Sequence, residues 1–287
     1  MPSIMISSVD YFYEITQRAP RQRPPLVLLH GFTGSSGNWA AQVAAFSPYF
    51  PTITVDLLGH GNTAAPTDPA RYGMEQSTHD LALLLTVLAP EGVNLLGYSM
   101  GGRLALAFAV TYPHLVRKLI LESASPGLAD ALAQQERRLS DERLADQIES
   151  EGITAFVDRW EKLPLFASQR VLPEAVRSQL REQRLRNHPQ GLANSLRGLG
   201  TGMQPSFWGQ LAKLSTPTLL LAGELDPKFT EIARQMAAQL PQATIITVAQ
   251  AGHTIHLEQP LAFQQQVLAF WTKNKKINHQ RHKEHKT

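Results

Sequence analysis

Leu95-Leu96-Gly97-Tyr98-Ser99-Met100-Gly101-Gly102-Arg103 is the stretch on which the fold turns. Val93 to Leu96 is a short apolar run, the pattern of a buried strand, and the chain from Gly101 to Pro113 is apolar and helix-friendly. Between them, Gly97-x-Ser99-x-Gly101 has the spacing of a nucleophile elbow in its strand–turn–helix setting. Such a turn is tight, and glycine at 97 and 101 removes side chains that would collide with neighbouring backbone. Ser99 is then held in a strained conformation at a helix N-terminus, its hydroxyl facing a cleft above the sheet. An ordinary Gly/Ser turn is the plain alternative; the flanking strand, the helix and the downstream partners favour the elbow.

Working outward, Ile4 to Thr16 alternates loosely, as an edge hairpin or strand does, and Arg18 to Pro25 is a polar turn. Leu26-Val27-Leu28-Leu29 reads as a strand buried on both faces. It runs into the glycine-rich loop His30 to Gly37, and Trp39 to Phe46 looks helical. Thr52 to Val55 is a further strand. Ser77, with Asp80 three residues on, resembles a helix start, and Leu81, Leu84, Leu85 and Leu88 give that helix one buried face. Beyond the elbow, Leu119 to Leu121 is a strand ending at Glu122. Strands alternating with helices predict a mostly parallel sheet with right-handed crossovers and helices on both faces. The rhythm breaks over residues 123–213, rich in Arg, Gln and Glu and without a buried strand, which predicts a helical lid over the carboxyl ends of the strands. Alternation then resumes, with Thr218 to Ala222 and Thr244 to Val248 as strands and Thr230 to Leu240 and Pro260 to Trp271 as helices. The expected division is a core of residues 1–122 and 214–272, a lid of 123–213, and a basic tail of 273–287.

A chain of 287 residues, 43% hydrophobic, suits one large α/β domain with an insertion. The pI of 9.2 could suggest a nucleic-acid binder. After residue 272, however, six Lys or Arg and one Glu give +5 of the chain's +3, so the body carries −2. The basic signal therefore belongs to a polar tail, and no nucleic-acid partner is expected. With no cysteine, disulfides, thiolate metal sites and cysteine nucleophiles are excluded. No signal peptide and no apolar run of membrane-spanning length are evident, so the expectation is a soluble, cytoplasmic protein.

A serine hydroxyl becomes a useful nucleophile or base only when a histidine takes its proton. Of ten histidines, His253 stands out, because Ala251-Gly252-His253 follows the last strand at its carboxyl end, where catalytic groups collect in open α/β sheets. His30 and His60 sit beside glycine turns and read as structural hydrogen-bonding residues, and His256 is the rival. His253-x-x-His256 lacks the spacing and further ligands of a zinc site, and no metal or cofactor is expected. An acid must hold the histidine tautomer. Asp226, in Gly223-Glu224-Leu225-Asp226-Pro227 after a strand, gives the order Ser99…Asp226…His253 of the α/β-hydrolase class, with Glu122 as the alternative. Backbone N–H groups of Met100, next to the nucleophile, and Phe32, in the glycine-rich loop, are the candidates for an oxyanion hole. This set predicts an α/β-hydrolase fold, which hosts hydrolases, lyases and receptors alike.

Arg103 narrows the field. It lies one helical turn after Ser99 among Leu104, Ala105, Leu106, Ala107 and Phe108, so a surface salt bridge is a poorer reading than a buried cation meeting a carboxylate. Arg137, Arg138, Trp160 and Phe166 in the insertion could add cation and an aromatic wall. Leu96 to Arg103 and Glu122-Ser123-Ala124-Ser125-Pro126-Gly127-Leu128 resemble the 2-succinyl-6-hydroxy-2,4-cyclohexadiene-1-carboxylate synthase family of menaquinone and phylloquinone biosynthesis. So do Arg137 to Asp141, Phe156 to Ser168, Gly223 to Phe229 and Ala251 to His253. The resemblance implies a lyase that eliminates pyruvate from a small tricarboxylate, with Ser99, Asp226 and His253 catalytic. It gives Arg103 and Arg137 carboxylates to bind and lets Tyr98 and Trp160 shape the pocket. A serine esterase or carbon–carbon hydrolase would use the same triad through an acyl-enzyme.

Overall fold

A computed structural model describes residues 2–19 and 23–272; the expected basic tail, 273–287, lies outside them. In chain order the elements are β1 (Ser3–Ile6), β2 (Val9–Thr16), β3 (Leu26–Leu29), α1 (Ala40–Phe46), β4 (Thr52–Val55), α2 (Met74–Leu88), β5 (Val93–Tyr98), α3 (Met100–Thr111) and β6 (Val116–Glu122). There follow α4 (Ala131–Trp160), α5 (Glu174–Leu185), α6 (Pro189–Leu199), β7 (Thr218–Gly223), α7 (Pro227–Ala237), β8 (Ala243–Val248), α8 (Ile255–Glu258) and α9 (Pro260–Thr272).

The strands form one sheet in the order β1-β2-β4-β3-β5-β6-β7-β8. β1 and β2 are an antiparallel hairpin, and β2 pairs antiparallel with β4; every later pairing is parallel. This is the α/β-hydrolase architecture. The order follows from burial: β3 and β7 are buried along their whole length, as central strands covered on both faces must be. One face packs on α2, α3 and α7 through Leu84, Leu85, Phe108 and Met236. The other packs on α1 and α9 through Trp39, Phe46, Phe263 and Trp271.

Two helices begin earlier than their sequence patterns suggest. α2 starts at Met74, with Gly73 as its N-cap, so Ser77 lies inside the first turns and donates its amide to the Gly73 carbonyl at 2.9 Å. Asp80 does no capping; it turns inward and accepts from the Tyr11 hydroxyl at 2.6 Å and from Arg71. α7 starts at Pro227 rather than Thr230, because Pro suits the first helical position and the Asp226 side chain accepts the Phe229 amide at 3.3 Å.

Between β6 and β7 the described elements are all helical: a 3₁₀ segment, Pro164–Val171, joins α4 to α5, and another, Trp208–Lys213, follows α6. Gly152, at φ +82°, bends α4 within its length. Ala145, Ile148, Phe156, Val157, Leu192 and Leu196 give this segment an apolar cluster of its own. No described helix is long and apolar enough to cross a membrane.

Candidate active site

β5 delivers Ser99 to the carboxyl edge of the sheet, and α3 leaves at once. Ser99 pays for that reversal with φ +50°, ψ −110°, a conformation L-residues seldom adopt outside functional turns. The turn closes only because positions 97 and 101 lack side chains. A Cβ on Gly97 would run into the Gly101 carbonyl, and one on Gly101 into the carbonyls of Leu29 and His30. The Ser99 amide is anchored on the Glu122 carbonyl at 2.9 Å.

The loop after β8 brings His253 to the serine, its Nε2 3.0 Å from Ser99 Oγ. The Nδ1 of the same ring is 2.7 Å from Asp226 Oδ2. Both partners are buried, His253 at 2% exposure and Asp226 at 6%, so this polar chain is shielded from competing water. The Phe229 ring packs edge-on against the imidazole at 4.6 Å and Tyr98 lies 5.5 Å away on another side, fixing its plane. The histidine loop is itself braced: the Glu258 carboxylate accepts the amides of Gly252 at 2.5 Å and Thr254 at 3.1 Å.

The rivals weighed for the triad lie elsewhere. Glu122 meets His256, at 2.8 Å from Oε2 to Nδ1, and neither touches Ser99 Oγ. His30 and His60 are structural. His30 Nδ1 is 2.8 Å from the Gly31 carbonyl, its Nε2 accepts the Leu57 amide at 2.9 Å, and burial lowers its pKa to about 4. His60 Nδ1 is 3.0 Å from the Leu58 carbonyl, and burial, then His30, lowers its pKa to about 3.

Ser99 and His253 open into a cavity of about 350 Å³. Phe32 and Met100 line it beside the serine. Met100 opens α3, where the first N–H groups have no intrahelical acceptor, and among the described residues neither the Phe32 nor the Met100 amide donates to another backbone carbonyl. Trp160 and Phe166 form an aromatic wall with Phe32, their rings stepping at 5.3 and 5.5 Å. The hydroxyl of Tyr98 bonds to Thr254 Oγ1 at 2.7 Å, and burial raises its pKa.

Arg103 and Arg137 both line this cavity. Arg103 donates to neutral acceptors, the Leu199 carbonyl at 2.8 Å and Gln204 Oε1 at 3.0 Å. Burial and the nearby Arg137 lower its pKa to about 10. The carboxylate nearest this pair, Asp141, is taken by Arg137 Nε at 2.8 Å. Arg103 thus brings a charge to the cavity with no ion-pair partner among the described residues, a state that an incoming carboxylate would relieve. Three further residues escape sequence reasoning. Lys228 and Phe229 line the cavity one short turn past Asp226, and Arg184 sits over the Phe166 ring at 5.4 Å. The signal for Lys228 and Phe229 was the run Asp226-Pro227-Lys228-Phe229, where a helix start places the following side chains beside its cap; Arg184, in α5, had none.

The alpha/beta hydrolase fold family matches residues 24–260. A Bacillus subtilis (strain 168) protein bearing the 2-succinyl-6-hydroxy-2,4-cyclohexadiene-1-carboxylate synthase name is 45% identical over 91% of this chain and 94% of its own. The chain belongs to the 2-succinyl-6-hydroxy-2,4-cyclohexadiene-1-carboxylate synthase family. The synthase of that name from Serratia proteamaculans (strain 568) is 33% identical over 87% of this chain and 94% of its own. Among solved structures, MenH from S. aureus superimposes with a TM-score of 0.88 at 38% identity, covering 91% of this chain and 98% of that one. Within this family setting, Ser99, His253 and Arg103, which has no ion-pair partner among the described residues, face one cavity.

Proposed function

We propose that this protein is a carbon–oxygen lyase that converts 2-succinyl-5-enolpyruvyl-6-hydroxy-3-cyclohexene-1-carboxylate to 2-succinyl-6-hydroxy-2,4-cyclohexadiene-1-carboxylate and pyruvate, a step of menaquinone or phylloquinone biosynthesis. The observation that carries the reading is the meeting of Ser99 and His253, 3.0 Å apart, with Arg103 in one aromatic-walled cavity. A generic esterase has no use for a buried arginine without a carboxylate partner; a tricarboxylate substrate does.

In this reading Ser99 Oγ gives its proton to His253 Nε2 and removes the proton next to the succinyl carbonyl. Asp226 holds the imidazole in the tautomer that can accept, and stabilises its charged form. Charge gathering on the succinyl oxygen meets the Phe32 and Met100 amides. Those electrons then form a C2–C3 double bond, the ring's existing C3–C4 double bond shifts to C4–C5, and the carbon–oxygen bond from C5 to the enolpyruvyl group breaks. The departing enolpyruvate is protonated and tautomerises to pyruvate. Arg103 and Arg137 hold substrate carboxylates, Tyr98 backs the serine, and Trp160 and Phe166 exclude water. Residues 123–213 act as a lid over a core of 1–122 and 214–272. The reading sets the reaction in the cytoplasm, on a small polycarboxylate, with no cofactor and no nucleic acid.

Incubating the purified protein with the enolpyruvyl substrate and following pyruvate with lactate dehydrogenase and NADH tests it. One pyruvate per substrate, without a covalent adduct on Ser99 by mass spectrometry, is expected. Absence of pyruvate together with an acyl adduct from simple esters would instead make the protein an ester hydrolase.

A further inference from the structure

Behind the cavity, Glu122 and His256 form a second buried histidine–carboxylate pair that the proposed chemistry does not use. Glu122 is 0% and His256 1% exposed. The Glu122 carboxylate accepts the His256 amide at 2.9 Å and meets Nδ1 at 2.8 Å. The His256 carbonyl accepts Gln42 Nε2 at 2.6 Å. Its ring is packed by Trp39 at 4.4 Å and by the edge of Tyr98 at 4.9 Å.

Filling space does not require this pair. A fully buried carboxylate costs several kcal/mol to desolvate, and apolar residues of similar volume are often as stable or more so. What leucine could not do at 122 is grip two loops at once. The Glu122 carbonyl holds the Ser99 amide at 2.9 Å, while its carboxylate holds the amide of His256, three residues beyond His253. Glu258 braces the histidine loop locally and Thr254 ties it to Tyr98, the residue before the nucleophile; Glu122 adds a second tie, to the strand end that carries the nucleophile's own anchor.

We propose that the Glu122–His256 pair is a positioning device that sets His253 against Ser99. It rests on Ser99 and His253 acting together, as in the reading above, but not on the identity of the substrate. The pair touches no reacting atom, so its loss lowers kcat through Ser–His geometry and leaves KM nearly alone; a displacement of about 1 Å costs on the order of 100-fold.

The test compares Glu122→Gln, His256→Asn and His256→Ala with the intact protein. Two rates are measured on folded material at matched thermal stability: pyruvate release, and covalent modification of Ser99 by a small neutral fluorophosphonate. The second reads Ser–His pairing without any lyase substrate. Expected is a fall of about 10–100-fold in both kcat and modification rate for Glu122→Gln and His256→Ala, with KM within about twofold. His256→Asn, which keeps an amide donor near the Nδ1 position, should recover part of the loss. Wild-type modification rates in folded Glu122→Gln overturn the proposal, even if pyruvate release is low. If Glu122→Gln does not fold, the two His256 variants decide; if none folds, the pair serves the fold alone and the proposal falls. A wild type that reacts with fluorophosphonate but releases no pyruvate sinks the lyase reading and leaves this one standing.

Discussion

His253 Nε2 stands 3.0 Å from Ser99 Oγ although 154 residues separate them in the chain. The contact exists because β5 and the loop after β8 both end at the carboxyl edge of one parallel sheet, with β6 and β7 between them. Removing either partner, by Ser99→Ala or His253→Ala, is expected to lower kcat by about 10²–10⁴ or more. Asp226→Asn keeps the shape but presents an amide to Nδ1, so it too should damage turnover while leaving the fold intact. Steady-state kinetics with circular dichroism as the folding control checks all three. Wild-type turnover in folded Asp226→Asn would show that Asp226 is not the acid.

Arg103 tests specificity. One charge-assisted hydrogen bond contributes about 1.5–3 kcal/mol. Since about 1.4 kcal/mol is tenfold in rate, Arg103→Ala should lower kcat/KM for the tricarboxylate by at least about 10–100-fold. Arg103→Lys keeps charge without the planar fork and should recover only part. The rate of Ser99 modification by a neutral fluorophosphonate, which has no carboxylate to hold, should change little. Equal losses on both measurements would make Arg103 a support of the elbow through Leu199 and Gln204.

Gly101→Ala should destabilise the protein, although alanine is the better helix former by about 1 kcal/mol. The new Cβ would meet the carbonyls of Leu29 and His30, which belong to a central strand and its loop and have little room to retreat. Overpacking of this kind costs about 1–3 kcal/mol, so thermal unfolding should move down by several degrees. Unchanged Tm with normal activity would show that the elbow can open without loss.

The buried histidines predict a pH dependence. His30 and His60 have pKa values lowered by burial to about 4 and about 3, against about 6.5 for an exposed histidine. Between those limits the unfolded chain binds the proton and the folded one does not, so stability rises with pH. Their contribution is full above about pH 6.5 and is lost progressively as pH falls toward 4 and then 3. Urea unfolding from pH 7 to 4 should show the decline. In His30→Ala the stability should be lower at pH 7 but fall less steeply with acid, because the Leu57 amide has already lost the acceptor that protonation would remove. An identical slope in the variant would exclude His30 as a source.

Local patterns in the sequence determined a good deal of this. Leu26 to Leu29 and Thr218 to Ala222 are continuous apolar runs because both faces of a central strand are covered, and that is visible without coordinates. The Gly97-x-Ser99-x-Gly101 spacing demanded a tight turn, and the polar, strand-free composition of 123–213 left helices as its structure. The starts of α2 and α7 were less legible, because Asp80 had a distant partner in Tyr11, and Pro227 a cap in Asp226, that outweighed the local helix signals. Only the tertiary structure decided which acid meets which histidine. Glu122 ends a strand, Asp226 follows one, and His253 and His256 are three residues apart, so chain order favoured Asp226 with His253 but left the rival acid and histidine without assigned partners. The strand order sets β7 beside β8, carrying Asp226 to His253, while Glu122 at the end of β6 lies under the loop and takes His256. Likewise, the partners of Arg103 come from residues 96 and 101 positions away, through packing that no local pattern encodes. Pairing of polar groups in a core is fixed by which ends of the sheet are neighbours, and that is a property of the assembled strands rather than of any stretch of chain.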